Sequence, residues 1–584
     1  MSSHRRPIVL FAGAALAASG LALPAQGSTD PTTLAIQGTV KVVVIDNVGP
    51  GAHADYLHTV VTDDGAEIPV ELDDDAPANG RFRGEVVIAG GVASALRSKD
   101  LLPRSGATID EDTRAGRVAV AAADDQTKPL TVASSTIAPV TAAAATTPSE
   151  HRAFVAVVDN RGSVEESDQE IADRVKEITD YWVAESDGVI TSFDIVGSVT
   201  RYDSTVAGGL ETNCGMDDDP YAVWNEALDL FPDLSTEEDS GDHLIVAMAD
   251  ECGAGAPIGN GTAGVALVGT DFSSGGPMSF SMGDVATQVG IHEVGHTFGL
   301  GHSNLQRCAG CGIEEYDGLY SPMAAAVHGG FDAPALDSAF RVRLGVAGLD
   351  EVPLLAAGNA PSAHPVHLSP RDGMGGVRGL DVVDPVSGRH YFVDHRSGTS
   401  RDLNAFYKSS SLGSVGTGII FRPGVTITTP GEKESLTVLS PTQTAAAFGA
   451  GQVFTSPTGA TTITVTAVAG AGGADVTVSF NPPAPPVQPA PLKKFSAKTP
   501  KITGTARVGK TLKVKVGSWS PRPSYRYQWY ANGKKITKKG AKSSFKLTSK
   551  QKGKRITVRV TGTKSGYATV TKASRPTKKV AKKR

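Results

Sequence analysis

Three of the chain's thirteen histidines fall within eleven residues, in the stretch His292-Glu293-Val294-Gly295-His296-Thr297-Phe298-Gly299-Leu300-Gly301-His302. On an α-helix, positions i and i+4 share a face, so His292 and His296 can aim ring nitrogens at one point. Glu293 lies one step round and can reach the side of whatever those rings hold. A third imidazole at i+10 cannot join them on a straight helix. Gly299 supplies the break, because glycine readily adopts the left-handed backbone that ends a helix. His302 can then approach from another direction. Three neutral imidazoles would leave one zinc ion its full double charge and an open fourth position, unlike a closed structural site. Such an ion lowers the pKa of water from about 15.7 to about 7, and Glu293 is placed to serve as general base. The chemistry this spacing supports is metal-assisted amide hydrolysis.

Elements able to position those residues precede them. DVATQVG (284–290) predicts the start of the histidine helix, with Asp284 as its N-cap. AFVAVVD (153–159) reads as a buried strand. The helix after it carries Ile171, Val175, Ile178 and Trp182 on one face. A strand (189–197), a second amphipathic helix around Trp224, Leu228 and Phe231, and a strand (243–249) complete an α/β segment.

HEVGHTFGLGH matches HExxHxxGxxH, and the chain therefore resembles the metzincin zinc metalloproteases. The resemblance implies a secreted endopeptidase with His292, His296 and His302 on zinc and Glu293 as catalytic base. It also implies a methionine in a tight turn below the metal, for which YSPMA (320–324) offers Met323, an apolar floor and not a ligand. EEYDGLYSPMA, LDSAFRVRLGV and YFVDHR are most similar to the gametolysin-like branch, over roughly residues 150–480. Some metzincins add a tyrosine two residues after that methionine; Ala325 stands there, so no such fifth ligand is expected. Tyr316 and Tyr320 receive no role from the sequence. Latency through a propeptide cysteine is not available, since the first cysteine is Cys214. If the N-terminal segment is a propeptide, it acts by an aspartate carboxylate or by simple occlusion; a permanent accessory β domain is the alternative.

The expected fold class is multidomain: an α/β metzincin-like catalytic domain, with a twisted mixed sheet plus helices, flanked by β-rich domains and ending in an Ig-like β-sandwich. Residues 1–27 have the charged start, short apolar run and small residues of a signal peptide. Residues 28–148 read as a β-rich N-terminal segment, 149–348 as the zinc domain and 349–480 as a β-sandwich domain. Residues 481–494 form a Pro-rich linker and 495–584 a basic Ig-like module, similar to repeats of bacterial surface proteins through YQWYANGKKI.

No later stretch is long and apolar enough to span a bilayer. Export favours disulfides for Cys214, Cys252, Cys308 and Cys311. Three pairings are open, and Cys214–Cys252 with Cys308–Cys311 keeps both bridges local.

Charge divides the chain. From Lys493 onward there are 29 Lys plus Arg and no Asp or Glu; the rest has 27 basic against 61 acidic residues, a balance of −34. Beyond a protein or peptide substrate, the expected partners are anionic cell-envelope polymers held by the basic module, with the protein extracellular and cell-wall associated. Calcium is the other cofactor weighed, but Asp73-Asp74-Asp75 and Asp217-Asp218-Asp219 lack the spacing of a calcium loop. The competing functional class is a non-catalytic surface adhesin with a vestigial zinc domain.

Overall fold

The computed structural model describes residues 32–583, except 89–128, 139–147, 207–213, 254–260, 326–330, 409–418, 482–492 and some shorter stretches. The signal-peptide reading of 1–27 and most of the Pro-rich linker therefore lie outside the described residues. Two compact units divide at Pro483/Ala484.

The first unit begins with β1 (Thr32–Val48), β2 (Ala54–Thr62), β3 (Glu67–Glu71), β4 (Arg81–Ile88) and β5 (Leu130–Ala138). They close on themselves in the order β1-β2-β3-β5-β4-β1, a five-stranded barrel filled by Ile36, Val60, Ile68, Phe82 and Val86. β1 changes character along its length. Residues 35–41 alternate between buried and half-buried, as a barrel wall requires, whereas 42–46 are buried without a break. There the strand stays paired with β2 on one side and joins a second layer on the other, with Val42 and Val44 in one apolar cluster and Val43 and Ile45 in another.

That layer is built from β6 (Ser149–Val158), β7 (Ile190–Ile195), β8 (Thr200–Tyr202), β9 (Asp242–Met248), β10 (Gly261–Leu267) and β11 (Gly276–Ser281). β7, β6, β9 and β11 run parallel; β10 is antiparallel to β11, and β1 is antiparallel to β10, pairing Asp46 with Gly264. Helices α1 (Asp168–Glu185) and α3 (Ala286–Thr297) share one apolar cluster, and α2 (Pro220–Leu228) belongs to the other, beside the Cys214–Cys252 bridge. A capping box from Ser167 and Glu170 starts α1. Asp284 does not cap α3: that helix starts two residues later, with Val285 at the N-cap and no side-chain cap. Its C-terminal end is closed by backbone bonds from Phe298, Gly299 and Leu300 to carbonyls of the last turn.

A buried histidine pair lies behind α3. His151 Nδ1 is 3.0 Å from His243 Nε2, and His151 Nε2 donates to the Phe272 carbonyl at 2.9 Å. Burial pushes His151 down to about 4, against a smaller upward pull from that hydrogen bond and Asp242. The unfolded chain takes up this proton near pH 6.5 and the folded chain does not. Stability is therefore complete above about 6.5 and falls as the pH drops toward 4, by about 3 kcal/mol for this ring. A pH series of Tm should show that loss, and His151→Gln should lessen it, His243 being depressed by burial as well.

The remaining part of this unit holds α4 (Ser338–Arg343), preceded by β12 (Ser303–Gln306), and nine further strands. These are β13 (Leu354–Ala356), β14 (Ser362–Leu368), β15 (Gly379–Val383), β16 (His390–Arg396), β17 (Gly424–Pro430), β18 (Ser435–Val438), β19 (Val453–Thr455), β20 (Thr461–Val468) and β21 (Ala474–Phe480). They form a six-stranded and a four-stranded sheet around Leu380, Val393, Ile427, Ile463 and Val478. β12, directly after the histidine motif, belongs to the six-stranded sheet through β18. Buried Arg341 ties the end of α1 to this part, reaching Glu185 at 3.2 Å and Glu351 at 3.0 Å.

The expected fold class is overturned. The chain is mainly β, with a closed five-stranded barrel and several sheets; among the described residues the α-helices have only 18, 9, 12 and 6 residues. An α/β catalytic domain flanked by separate β domains does not describe it, because β1 is hydrogen-bonded into both the barrel and the central sheet. Apolar periodicity reports which face of a strand is buried, not which distant strand it joins.

The second unit carries β22 (Ser496–Ala497), β23 (Lys501–Thr503), β24 (Thr511–Lys515), β25 (Trp519–Ser520), β26 (Ser524–Ala531), β27 (Lys534–Lys535), β28 (Ser544–Lys546), β29 (Ile556–Thr563) and β30 (Val570–Ala573). These strands bond into sheets of two, three and four. Leu512, Trp529, Leu547, Ile556 and Val558 form the core. Asn532 and Gly533, at φ of +45° and +80°, make the tight β26–β27 turn.

Candidate metal centre

α3 is buried along nearly its whole length, and two glycines let it sit that deep. A methyl group at Gly290 would collide with Ile178 of α1, and one at Gly295 with the Met323 sulfur. Met323, fully buried, thus lies directly against the histidine helix, and Trp182 donates to the Ile291 carbonyl at 3.0 Å. Gly299 turns the chain at φ +82°. The His302 segment is then fixed by backbone bonds to the β17–β18 region, Gly301 N to Lys433 O at 2.8 Å and Ser435 N to His302 O at 3.0 Å.

The structure brings His292, His296 and His302 together, with ring centroids 4.8, 5.0 and 5.4 Å apart. Their outer nitrogens face acceptors at short range, although the Tyr56 hydroxyl also lies 3.5 Å from His302 Nδ1. His292 Nδ1 lies 3.1 Å from Pro322 O and 3.2 Å from Ala324 O, and His296 Nδ1 lies 2.7 Å from Leu300 O. His302 Nδ1 lies 3.0 Å from a Glu315 carboxylate oxygen. Donation from each Nδ1 to these acceptors would leave a neutral ring with its Nε2 lone pair pointing inward, as a metal ligand requires.

Spacing reasoning did not locate the fourth member. Asp46, at the end of the apolar run of β1, places one carboxylate oxygen 3.0 Å from His292 Nε2 and 3.2 Å from His296 Nε2; the other is 3.0 Å from His302 Nε2. The four groups are buried, and their ligand atoms lie within 4.8 Å of one another. An acid closing a strand that is otherwise buried on both faces was the available signal. Burial would raise the Asp46 carboxyl, but His302, His292 and His296 hold it well below the usual range. Burial works against His302 too, yet Asp46 and Glu315 bring it up to about 9; His296 is pushed down to about 4 by burial, against Asp46.

Three Nε2 atoms and the Asp46 carboxylate converge on one point, a donor set that a divalent cation could satisfy. His292 Nε2 and both Glu293 carboxyl oxygens, although buried, make no hydrogen bond of good geometry. The residues present therefore fit a metal ion. Glu293 abuts Gly264, where no side chain would fit. Burial, reinforced by the charge of Asp46, holds its carboxyl well above the usual range.

Tyr316 completes the enclosure. Its hydroxyl donates to Asp46 Oδ1 at 2.9 Å, and its ring lies 4.3 Å from His302. The backbone holds an uncommon φ of +60°, fixed where Tyr316 N donates to Asn304 Oδ1 and its carbonyl accepts from Ala325 N. Ala325 itself presents no ligand atom. Tyr320 is elsewhere, donating to the Arg422 carbonyl at 2.8 Å.

Cys214 pairs with Cys252 and Cys308 with Cys311, the local pairing. Of the acidic clusters, Asp219 caps α2, and Asp75, Asp217 and Asp218 lie outside the described residues. No helix among the described residues is long and apolar enough to cross a membrane.

No family model and no curated protein matches the chain. The solved structure of metalloproteinase-II from Bacteroides fragilis is similar at 13% identity, covering 54% of this chain and 90% of that one, with a TM-score of 0.22. Likeness at that level assigns no activity. What stands on the geometry is a buried cluster of three histidines and one aspartate that could hold a metal ion.

Proposed function

We propose that the chain is an exported zinc endopeptidase of the metzincin kind, held latent by its own Asp46. The observation that carries this reading is the convergence of three Nε2 lone pairs whose tautomers are set by acceptors behind them. His292, His296 and His302 would hold the ion, and Asp46 takes the position that an open catalytic site leaves for water. When bound, zinc supplies the Lewis acidity that activates a water and polarises a scissile carbonyl. Glu293 takes the proton from that water and delivers it to the departing amine nitrogen. Met323 floors the site, and Glu315 holds His302 in the required tautomer.

β1 explains the latency. It lies antiparallel against β10 over residues 43–48, where an extended substrate strand would add to the sheet. Access thus requires that β1 leave, and Asp46 fastens it.

The test is zinc stoichiometry together with casein cleavage. Wild-type protein should bind one zinc and cleave slowly, Asp46→Ala should cleave faster, and 1,10-phenanthroline should silence both. Absence of stoichiometric zinc in well-folded protein would refute the assignment. Tyr316→Phe removes a hydrogen bond to a charged group, worth about 1.5–3 kcal/mol. It should likewise raise the basal rate, read as casein turnover before any proteolytic processing.

A further inference from the structure

We infer that the three-stranded sheet of the C-terminal unit is a binding face for a linear polyol phosphate, a phosphodiester polymer without bases. β23, β24 and β28 place Lys501 opposite Lys515, Thr503 and Ser544 on either side of Lys513, and Lys546 opposite Thr511. All seven side chains are exposed, while the intervening Ile502, Leu512, Val514 and Phe545 turn toward the core. The outer face is therefore a grid of four ammonium groups and three hydroxyls.

The grid works against folding. Like charges directly across an antiparallel pair destabilise it, and Lys501 and Lys515 are such a pair. No Asp or Glu occurs from Lys493 to Arg584, so no acidic side chain within the unit relieves the repulsion. A polyanion would relieve it, with release of its counterions as the driving force.

The geometry narrows the polyanion. Lys513 and Lys515 are two residues apart on one strand, about 6.8 Å, with six backbone bonds between their Cα atoms. Successive phosphorus atoms in a three-carbon polyol phosphate are also six bonds apart, so an extended polymer keeps step with the strand. The sugar-phosphate backbone of nucleic acid has the same bond count. Single-strand binders, however, add aromatic platforms on which bases stack, and this face exposes no aromatic ring. The hydroxyls of Thr503, Thr511 and Ser544 suit a polyol instead. This inference is independent of the peptidase reading.

The full-length protein is titrated with poly(glycerol phosphate) across a salt series, beside poly(dT) and heparin. Wild type should bind poly(glycerol phosphate) tightest, with affinity falling steeply in salt. Changing Lys501, Lys513, Lys515 and Lys546 together to Gln should weaken binding at least tenfold and reduce the log–log salt slope by up to about 3, at about 0.7 per contact. Arg526→Gln with Arg559→Gln, on the outer face of the four-stranded sheet, should change affinity less than threefold. Lys515→Glu supplies a readout free of folding failure: it should raise Tm by pairing with Lys501 while weakening the polymer. The proposal is overturned by no binding at low salt, by tighter binding of poly(dT) or heparin, by equal loss in the arginine variant, or by unchanged binding in the four-lysine variant.

Discussion

Glutamine in place of Glu293 is expected to lower kcat for peptide hydrolysis by about 10²–10⁴-fold, the usual contribution of a positioned proton-transfer group. The measurement belongs in the Asp46→Ala background, where β1 no longer places a carboxylate at the site. KM should change little, because Glu293 is fully buried against Gly264 and would act on water and leaving group rather than on substrate binding. Zinc stoichiometry should be preserved, since the ligand atoms belong to the histidines. Tm should hold, because burial already keeps the carboxyl well above the usual range and the amide has the same shape and is likewise uncharged. Undiminished turnover in the glutamine variant would remove Glu293 from the chemistry and with it the peptidase assignment.

Stripping the metal should have the second large effect. With the ion gone, three inward lone pairs and a carboxylate face one another inside 4.8 Å with only protons to separate them. Excess chelator should therefore lower the Tm of the wild-type protein, and added zinc should restore it. At free zinc a thousandfold above Kd the ion contributes about 4 kcal/mol. His302→Ala should abolish the zinc dependence, whereas Glu293→Gln should keep it. Equal Tm values with and without zinc would show that the cluster is held by protonated histidines alone.

The local half of the site could be read from the chain. Helical spacing of four puts His292 and His296 on one face wherever that helix lies, and Gly299 is the residue type that turns the backbone at φ +82°. The buried face of α1, the local disulfide pairs and the Asn532-Gly533 turn are likewise matters of neighbours in sequence. Short-range pattern does not carry long-range pairing. Asp284 has the right chemistry for an N-cap, yet α3 begins at Ala286, set by its burial and not by a capping bond. An α/β catalytic domain was expected, but the chain is mainly β, its first strand shared between a barrel and the central sheet.

Asp46 is 246 residues from His292, Tyr316 stands 270 beyond Asp46, and Glu315 reaches His302 from a separate loop. Local periodicity carries no information on which strand will lie antiparallel to Gly261–Leu267. Sequence alone therefore determined the candidate histidines, their spacing and the charge asymmetry of the two ends, because these depend on covalent neighbours. Tertiary structure decided that a carboxylate would close the site, because strand register is fixed only when two distant faces are buried together.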